Sequence, residues 1–216
     1  PAPVGESDLR NYAINIASQR LLEHCGAWNN LDHTRIGRFD AITVWDNDSD
    51  ATLNFRPPPL HADAMGWIIE HSNLEWALAR SLENIKLTVF NSPVDQLDPG
   101  VPENLHLSSG ESLSARLIVG VDGPHSFIRG ACGLDSERHD YAARAVVANV
   151  TTAEPHRGVA TQRFLNTGPL AFLPLADPNQ CSIVWSCTSM LADELESLSD
   201  AAFAARLGDA FLHKLG

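Results

Sequence analysis

The sequence contains no apolar run approaching the ~20 residues that a membrane-spanning helix needs. Its opening, PAPVGESDLR, is polar and Pro-rich and carries no secretory-signal pattern. Basic residues are scarce: 15 Lys and Arg stand against 27 Asp and Glu, a formal net charge of -12. That balance argues against nucleic acid as a partner and against electrostatic docking on anionic lipid. Four cysteines, at positions 25, 132, 181 and 187, show no CxxC spacing, and each sits among apolar neighbours, as in IVWSCTS. They are expected to be reduced core thiols of a cytosolic protein. The nine histidines are scattered, none at the His-x3-His spacing of a helix-borne zinc site, so no metal is expected. There is no GxSxG elbow of a serine hydrolase and no Gly-Lys-Ser/Thr of a P-loop.

What is present is an ordinary globular composition: 216 residues, 44% hydrophobic and 19% charged, enough for one large domain or two small ones. The chain opens without Met and stops on AAFAARLGDAFLHKLG, an amphipathic helix. It therefore reads as a middle piece of a longer protein.

Hydrophobic periodicity orders the chain coarsely. Ile14, Ala17, Leu21, Leu22 and Cys25 recur at helical spacing over 11–28, with Gly26 as the stop. FDAITVWDND and ATLNF read as strands around an Asp- and Ser-rich turn, and RPPPL as a connector. A helix is predicted from near Ser72, with Leu74, Ala77, Leu78 and Leu82 on one face, followed by a short strand, KLTVF. Residues 101–116 suggest a hairpin around Ser108-Ser109-Gly110, and 116–121, RLIVGV, a buried strand. Beyond Tyr141, the runs ARAVVANVTT, VATQRFLN, GPLAFLPLAD and QCSIVWSCTS are strand-like. The order is interleaved. An α/β body takes 1–36, 66–93 and 110–138, a sheet body takes 37–60 and 139–190, and 191–216 form a terminal helix.

The stretch LIVGVDGPHSFIRGACGL carries the chemistry. An apolar strand runs into Asp122-Gly123 and then into a helix that Ser126 caps. Gly120 and Gly123 remove side chains where something must approach the backbone, and Asp122 sits where a carboxylate accepts hydrogen bonds from ribose hydroxyls or orders a loop. An Asp-Gly turn is common, and from this stretch alone the nucleotide site and the plain strand-turn-helix both stand.

VGVDGPHSFIRGACGL resembles the second flavin fingerprint of class A flavoprotein monooxygenases, strand-Asp-Gly-x-x-Ser-x-x-Arg. DLRNYAINIASQRLLEHCGAW is similar to the Arg-containing segment that follows the first flavin-binding unit of that class. GWIIEHSNLEWAL resembles its Ile-Val-Glu-Asn segment, and GPLAFLPLADPNQCSIVW its substrate-domain hairpin. Within the class the ubiquinone-biosynthesis hydroxylases match best, and ITVWDNDS and TTAEPH point to the 2-octaprenylphenol hydroxylase branch.

The resemblance implies a partial Rossmann-like FAD-binding domain interleaved with a mixed β-sheet substrate domain, as in para-hydroxybenzoate hydroxylase. It implies Arg10 at the FAD phosphates, with a surface arginine as the alternative, and Asp122 and Gly123 beside the flavin nucleotide. Ser126 and Arg129 complete the motif, or serve as a cap and a structural tie. His71 stands where the family often has Asn, and is either a flavin contact or an exposed helix-entry histidine. The family's GxGxxG turn is not found and its late Gly-Asp motif is expected well after residue 216, so the chain by itself is expected to be inactive and to hold FAD poorly. The implied reaction is hydroxylation of a polyprenylphenol ring with O2 and NAD(P)H, in the cytoplasm at the periphery of the inner membrane, beside other ubiquinone-biosynthesis proteins. No acid or base is assigned. Phe164, Leu170, Phe172 and Leu173 either face the ring and its tail or pack the core. A flavin-dependent reductase or oxidase of an isoprenoid, and a non-enzymatic lipid-binding or assembly module, remain as rivals.

Overall fold

The computed structural model describes residues 5, 8–47, 51–57, 64–83, 85–98, 103–134 and 136–216. The Pro-rich opening, the Asp- and Ser-rich turn and most of RPPPL lie outside them. The chain forms two compact units, one from 1–85 with 141–216 and the other from 86–140.

The first unit holds two sheets. Strand β1 (Asn11–Asn15) pairs antiparallel with β5 (Gly66–Glu70), which also pairs with β2 (Gly37–Phe39). The helix predicted over 11–28 is therefore a strand followed by α1 (Ile16–His24). The Asn15 side chain caps α1 by accepting from the Ser18 N–H at 2.8 Å. Pairing with β5 overrides the helical spacing of Ile14, because Asn11 and Asn15 are poor helix-interior residues. Gly26, at φ +72°, ends the segment as expected. Helix α2 (His71–Leu82) starts directly after β5. Asn73, fully buried on α2, exchanges two hydrogen bonds with the Asp32 backbone and pins the 28–35 turns to it.

The second sheet of this unit has six strands in the order β4-β3-β10-β11-β12-β9. They are β3 (Ala41–Asp46), β4 (Thr52–Phe55), β9 (Ala143–Thr151), β10 (Val159–Leu165), β11 (Gly168–Pro174) and β12 (Gln180–Thr188). The β3–β10 pair is parallel and the other four pairs are antiparallel. Cross-strand partners share a face, so the register assigns every side chain. Val146, Trp185, Leu170, Arg163 and Trp45 form one buried row, which α4 (Ser189–Glu196) and α5 (Asp200–Ala210) cover. Phe211, just past α5, stacks on Phe172 at 3.9 Å between ring centres. Thr188 and Ser199 cap the two helices. Gly37 lets the small sheet meet the large one, since a Cβ there would fall 1.9 Å from the Pro174 carbonyl oxygen.

The second unit carries β6 (Val94–Asp98), β7 (Glu103–Leu107) and β8 (Ser112–Ala115) in an antiparallel sheet, and the short α3 (Phe127–Ala131). The hairpin around Ser108–Gly110 is present. Neither KLTVF nor RLIVGV is a strand. Leu117, Val119 and Val121 are 76%, 68% and 88% exposed. A buried strand needs hydrogen-bonded neighbours and apolar cover on its faces, and no described segment pairs with either run. Two of the expected core thiols are likewise outside the core: Cys25 and Cys132 are exposed, while Cys181 and Cys187 are buried. Cys25 ends α1 and Cys132 ends α3, positions where the local apolar pattern has no packing partner.

Candidate functional site

The β1–β5 pairing brings Arg10 and His71 together: the His71 N–H donates to the Arg10 carbonyl at 2.8 Å. The His71 ring faces Tyr12, with the hydroxyl 3.2 Å from Nδ1 and the rings edge to face. The Arg10 guanidinium is exposed and makes no hydrogen bond or ion pair with the described residues.

Asp8 builds this corner. Its Oδ1 accepts from the Arg10 N–H at 3.0 Å and its Oδ2 from the Ser72 N–H at 3.1 Å, so one carboxylate clamps β1 to the amino end of α2. Burial pushes the Asp8 carboxyl up, but those two N–H groups, the Ser72 side chain and the nearby His71 outweigh it and hold it below the usual aspartate range. The Asp8 N–H in turn donates to Glu70, which is 3% exposed and meets Arg35 Nη2 at 2.6 Å. Sequence reasoning missed Asp8, Tyr12, Arg35 and Glu70. The available signal was a carboxylate inside the apolar run GWIIE, a position that demands a cation or donors.

This corner borders the face of the six-stranded sheet opposite the helices, where one row packs under the small sheet and the rest is open. Asn149 Nδ2 donates to the Asp8 carbonyl at 3.2 Å, and Asn11 Nδ2 lies 3.2 Å from Ser182 Oγ. Asn149 and Ser182 are cross-strand partners on the face opposite the helices, in line with Leu173, Ala160, Ile42 and Phe55. The next row on that face is Val147, Val184, Ala171, Gln162, Val44 and Leu53. Val147, Leu53, Phe55 and Phe164 are all exposed, so this face presents an apolar surface with Gln162 near its middle. The register separates the four residues singled out from the sequence. Leu170 and Phe172 pack under the helices, Leu173 packs against Phe39 and Ile68, and Phe164 alone stands on the open face.

Asp122 and Gly123 belong to the second unit. The Asp122 carboxylate accepts from Ser126 Oγ at 2.5 Å and from the Ile128 N–H at 3.1 Å. The Ser126 hydrogen bond first, then the Ile128 N–H, lowers its pKa. Ser126 caps α3 through the Arg129 N–H, and the Arg129 guanidinium ties back to the Pro124 carbonyl at 2.7 Å. Gly123 has φ +86° with open space where a side chain would stand, and Gly120 leaves room for Ile128, 2.8 Å from the Cβ it lacks. Among the described residues no His, Cys, Asp and Glu cluster could hold a metal.

The fold is shared with solved FAD-dependent monooxygenases. PqsL of Pseudomonas aeruginosa, described as "a probable FAD-dependent monooxygenase", superposes with a TM-score of 0.72 at 18% identity, over 88% of this chain and 54% of that one. HpxO of Klebsiella pneumoniae, solved with FAD, gives 0.63 at 16% identity, over 85% and 49%. No protein-family model matches the chain. Its sequence is homologous to the ubiquinone-biosynthesis hydroxylases. The mitochondrial ubiquinone biosynthesis monooxygenase COQ6 of Danio rerio is 33% identical over 214 residues, 92% of this chain and 43% of the relative. The 3-demethoxyubiquinol 3-hydroxylase of Escherichia coli is 28% identical over 222 residues, 100% of this chain and 56% of the relative. The chain thus spans about half the length of the curated relatives it matches.

The residues present fit FAD in part. Arg10 offers a free, exposed, permanently charged fork at the end of a strand, as a pyrophosphate needs. At the amino end of α2 the His71 and Ser72 N–H groups are already taken, by the Arg10 carbonyl and by Asp8. Asp122 has spent two acceptor sites on its own loop and keeps lone pairs for a ribose hydroxyl.

Proposed function

We propose that this chain is the substrate sheet, with part of the FAD-binding apparatus, of a flavin-dependent monooxygenase that hydroxylates a polyprenylphenol ring in ubiquinone biosynthesis. The observation that carries the reading is the kinship to ubiquinone-biosynthesis hydroxylases over 92% of the chain. The open sheet face supports the substrate class. Phe164, Val147, Leu53 and Phe55 offer apolar area to an aromatic ring and its isoprenoid tail.

Arg10 holds the FAD phosphates, His71 lies beside the cofactor, and Asp122 with Gly123 approaches its nucleotide. FAD, reduced by NAD(P)H, supplies the oxygen-activating chemistry. The chain's own part is binding, orientation and the exclusion of water. The Asp8 clamp fixes Arg10 against the sheet, and the open face lays a ring flat on strands rather than on mobile loops. No described residue is assigned as acid or base. No described helix is long and apolar enough to cross a membrane, and an apolar substrate is consistent with work at a membrane periphery.

The test uses the full-length protein, NAD(P)H, a short-tailed polyprenylphenol and labelled O2. One labelled oxygen atom in the ring product is expected. A product that is reduced or oxidised without label overturns hydroxylation in favour of a reductase or oxidase.

A further inference from the structure

On the helix-covered side of the six-stranded sheet, away from the open face, lies a cavity of about 430 Å³, lined among others by Arg163, Arg206, Leu165, Trp185, Leu191 and Asp209. That volume is within the range of small-molecule sites. Arg163 is only 8% exposed. Its guanidinium has five N–H donors. Nη1 donates to the Ala210 carbonyl at 2.6 Å, Nη2 donates to Asn47 Oδ1 at 2.8 Å, and Nε, shielded from solvent, has no partner among the described residues, which leaves the second N–H of each Nη for a ligand. Two of the five donors are therefore met.

No carboxylate of the described residues pairs with Arg163. The carboxyl end of α5 answers part of the charge, since a helix end carries only about half an elementary charge. A buried cation without an anion is costly to keep. Asp209, on the same cavity wall, is engaged by His213 Nε2 at 3.0 Å. The second arginine of the wall, Arg206, is exposed and, among the described residues, reaches only Glu194, at 3.7 Å. Much of the remaining lining is apolar.

We propose that this cavity receives a carboxylate borne on an apolar body, with Arg163 and Arg206 as its cationic partners. A planar carboxylate matches a guanidinium edge better than a spherical ion does, and Leu165, Leu191 and Trp185 take the apolar part. The carboxylate comes either from a free hydrophobic acid or from an acidic side chain elsewhere in the longer protein.

Benzoate is the probe and benzamide its uncharged counterpart, titrated at constant ionic strength against the 216-residue chain and against the full-length protein, with tryptophan fluorescence and calorimetry as readouts. The 216-residue chain is expected to bind benzoate one to one, at least ten-fold more tightly than benzamide. Arg206→Gln, at an exposed position, is expected to weaken benzoate about ten-fold and to leave benzamide unchanged. Benzoate binding to both proteins supports a free acid. Binding to the 216-residue chain alone supports a side chain of the longer protein. Failure of benzoate to saturate the 216-residue chain, equal affinity for benzamide, or indifference to Arg206→Gln overturns the site.

Discussion

Glu70 is a carboxylate that the sequence places inside an apolar strand, and the structure surrounds it with Arg35 and the Asp8 N–H. Glu70→Gln keeps the shape and removes the charge from a 2.6 Å contact. It should cost about 3 kcal/mol, at the lower edge of what breaking a buried pair costs, read as a lower urea midpoint at unchanged m. Asp8 adds a pH signature. Its folded-state pKa is depressed, so its contribution to stability is complete above the unfolded aspartate value and is lost as pH falls through the folded one. Thermal melts from pH 7 to pH 3 should therefore fall less steeply in Asp8→Asn than in the parent. Parallel curves would show that the clamp contributes nothing through its charge. The thiols separate in the same residue-by-residue way. Burial pushes Cys181 up to about 12 and raises Cys187 as well, whereas Cys25 and Cys132 are exposed. A thiol reagent at pH 8 should modify two cysteines at once and the other two only on unfolding.

Strand β10 shows how one element serves two faces. Arg163 and Leu165 turn to the helices, and Gln162 and Phe164 turn to the open side. Phe172→Ala on β11 should cost about 3–5 kcal/mol, because its ring stacks on Phe211 in the core. Phe164→Ala should change stability by less than about 1 kcal/mol, yet, on the proposed function, raise the KM of the full-length protein for a polyprenylphenol. If Phe164→Ala unfolds the protein, the open face is a packed one. The alternation in VATQRFLN and QCSIVWSCTS makes β10 and β12 legible as strands from sequence. Which of their two faces the helices cover was not legible, because both faces carry apolar residues.

At the scale of the molecule, the two compact units differ in how well their apolar residues are used. The first buries three hydrophobic clusters. The second leaves Leu87, Val89, Leu117, Val119 and Val121 exposed. An FAD titration of the 216-residue chain, followed by flavin fluorescence, should give binding at least 100-fold weaker than in the full-length protein. Equal affinity would mean that Arg10, His71, Asp122 and Gly123 carry the whole site and that the chain needs nothing more to hold the cofactor.

Local chemistry determined much of this protein without help. The Asn15, Ser126, Thr188 and Ser199 caps, the Gly26 stop, the Ser108–Gly110 turn and the strands beyond Tyr141 all follow from interactions a few residues apart. The loop order around Asp122-Gly123 and the Ser126 cap were legible for the same reason, since Asp122, Ser126 and Ile128 bond within six positions. Tertiary structure alone decided that 11–15 pair as a strand, that KLTVF and RLIVGV do not, and that Glu70 meets Arg35 and Asp8 across 35 and 62 positions. An apolar run states only that burial is favourable. Whether it becomes a strand, and which of its faces is covered, depends on a neighbour to pair with, and that neighbour lies far away in the chain.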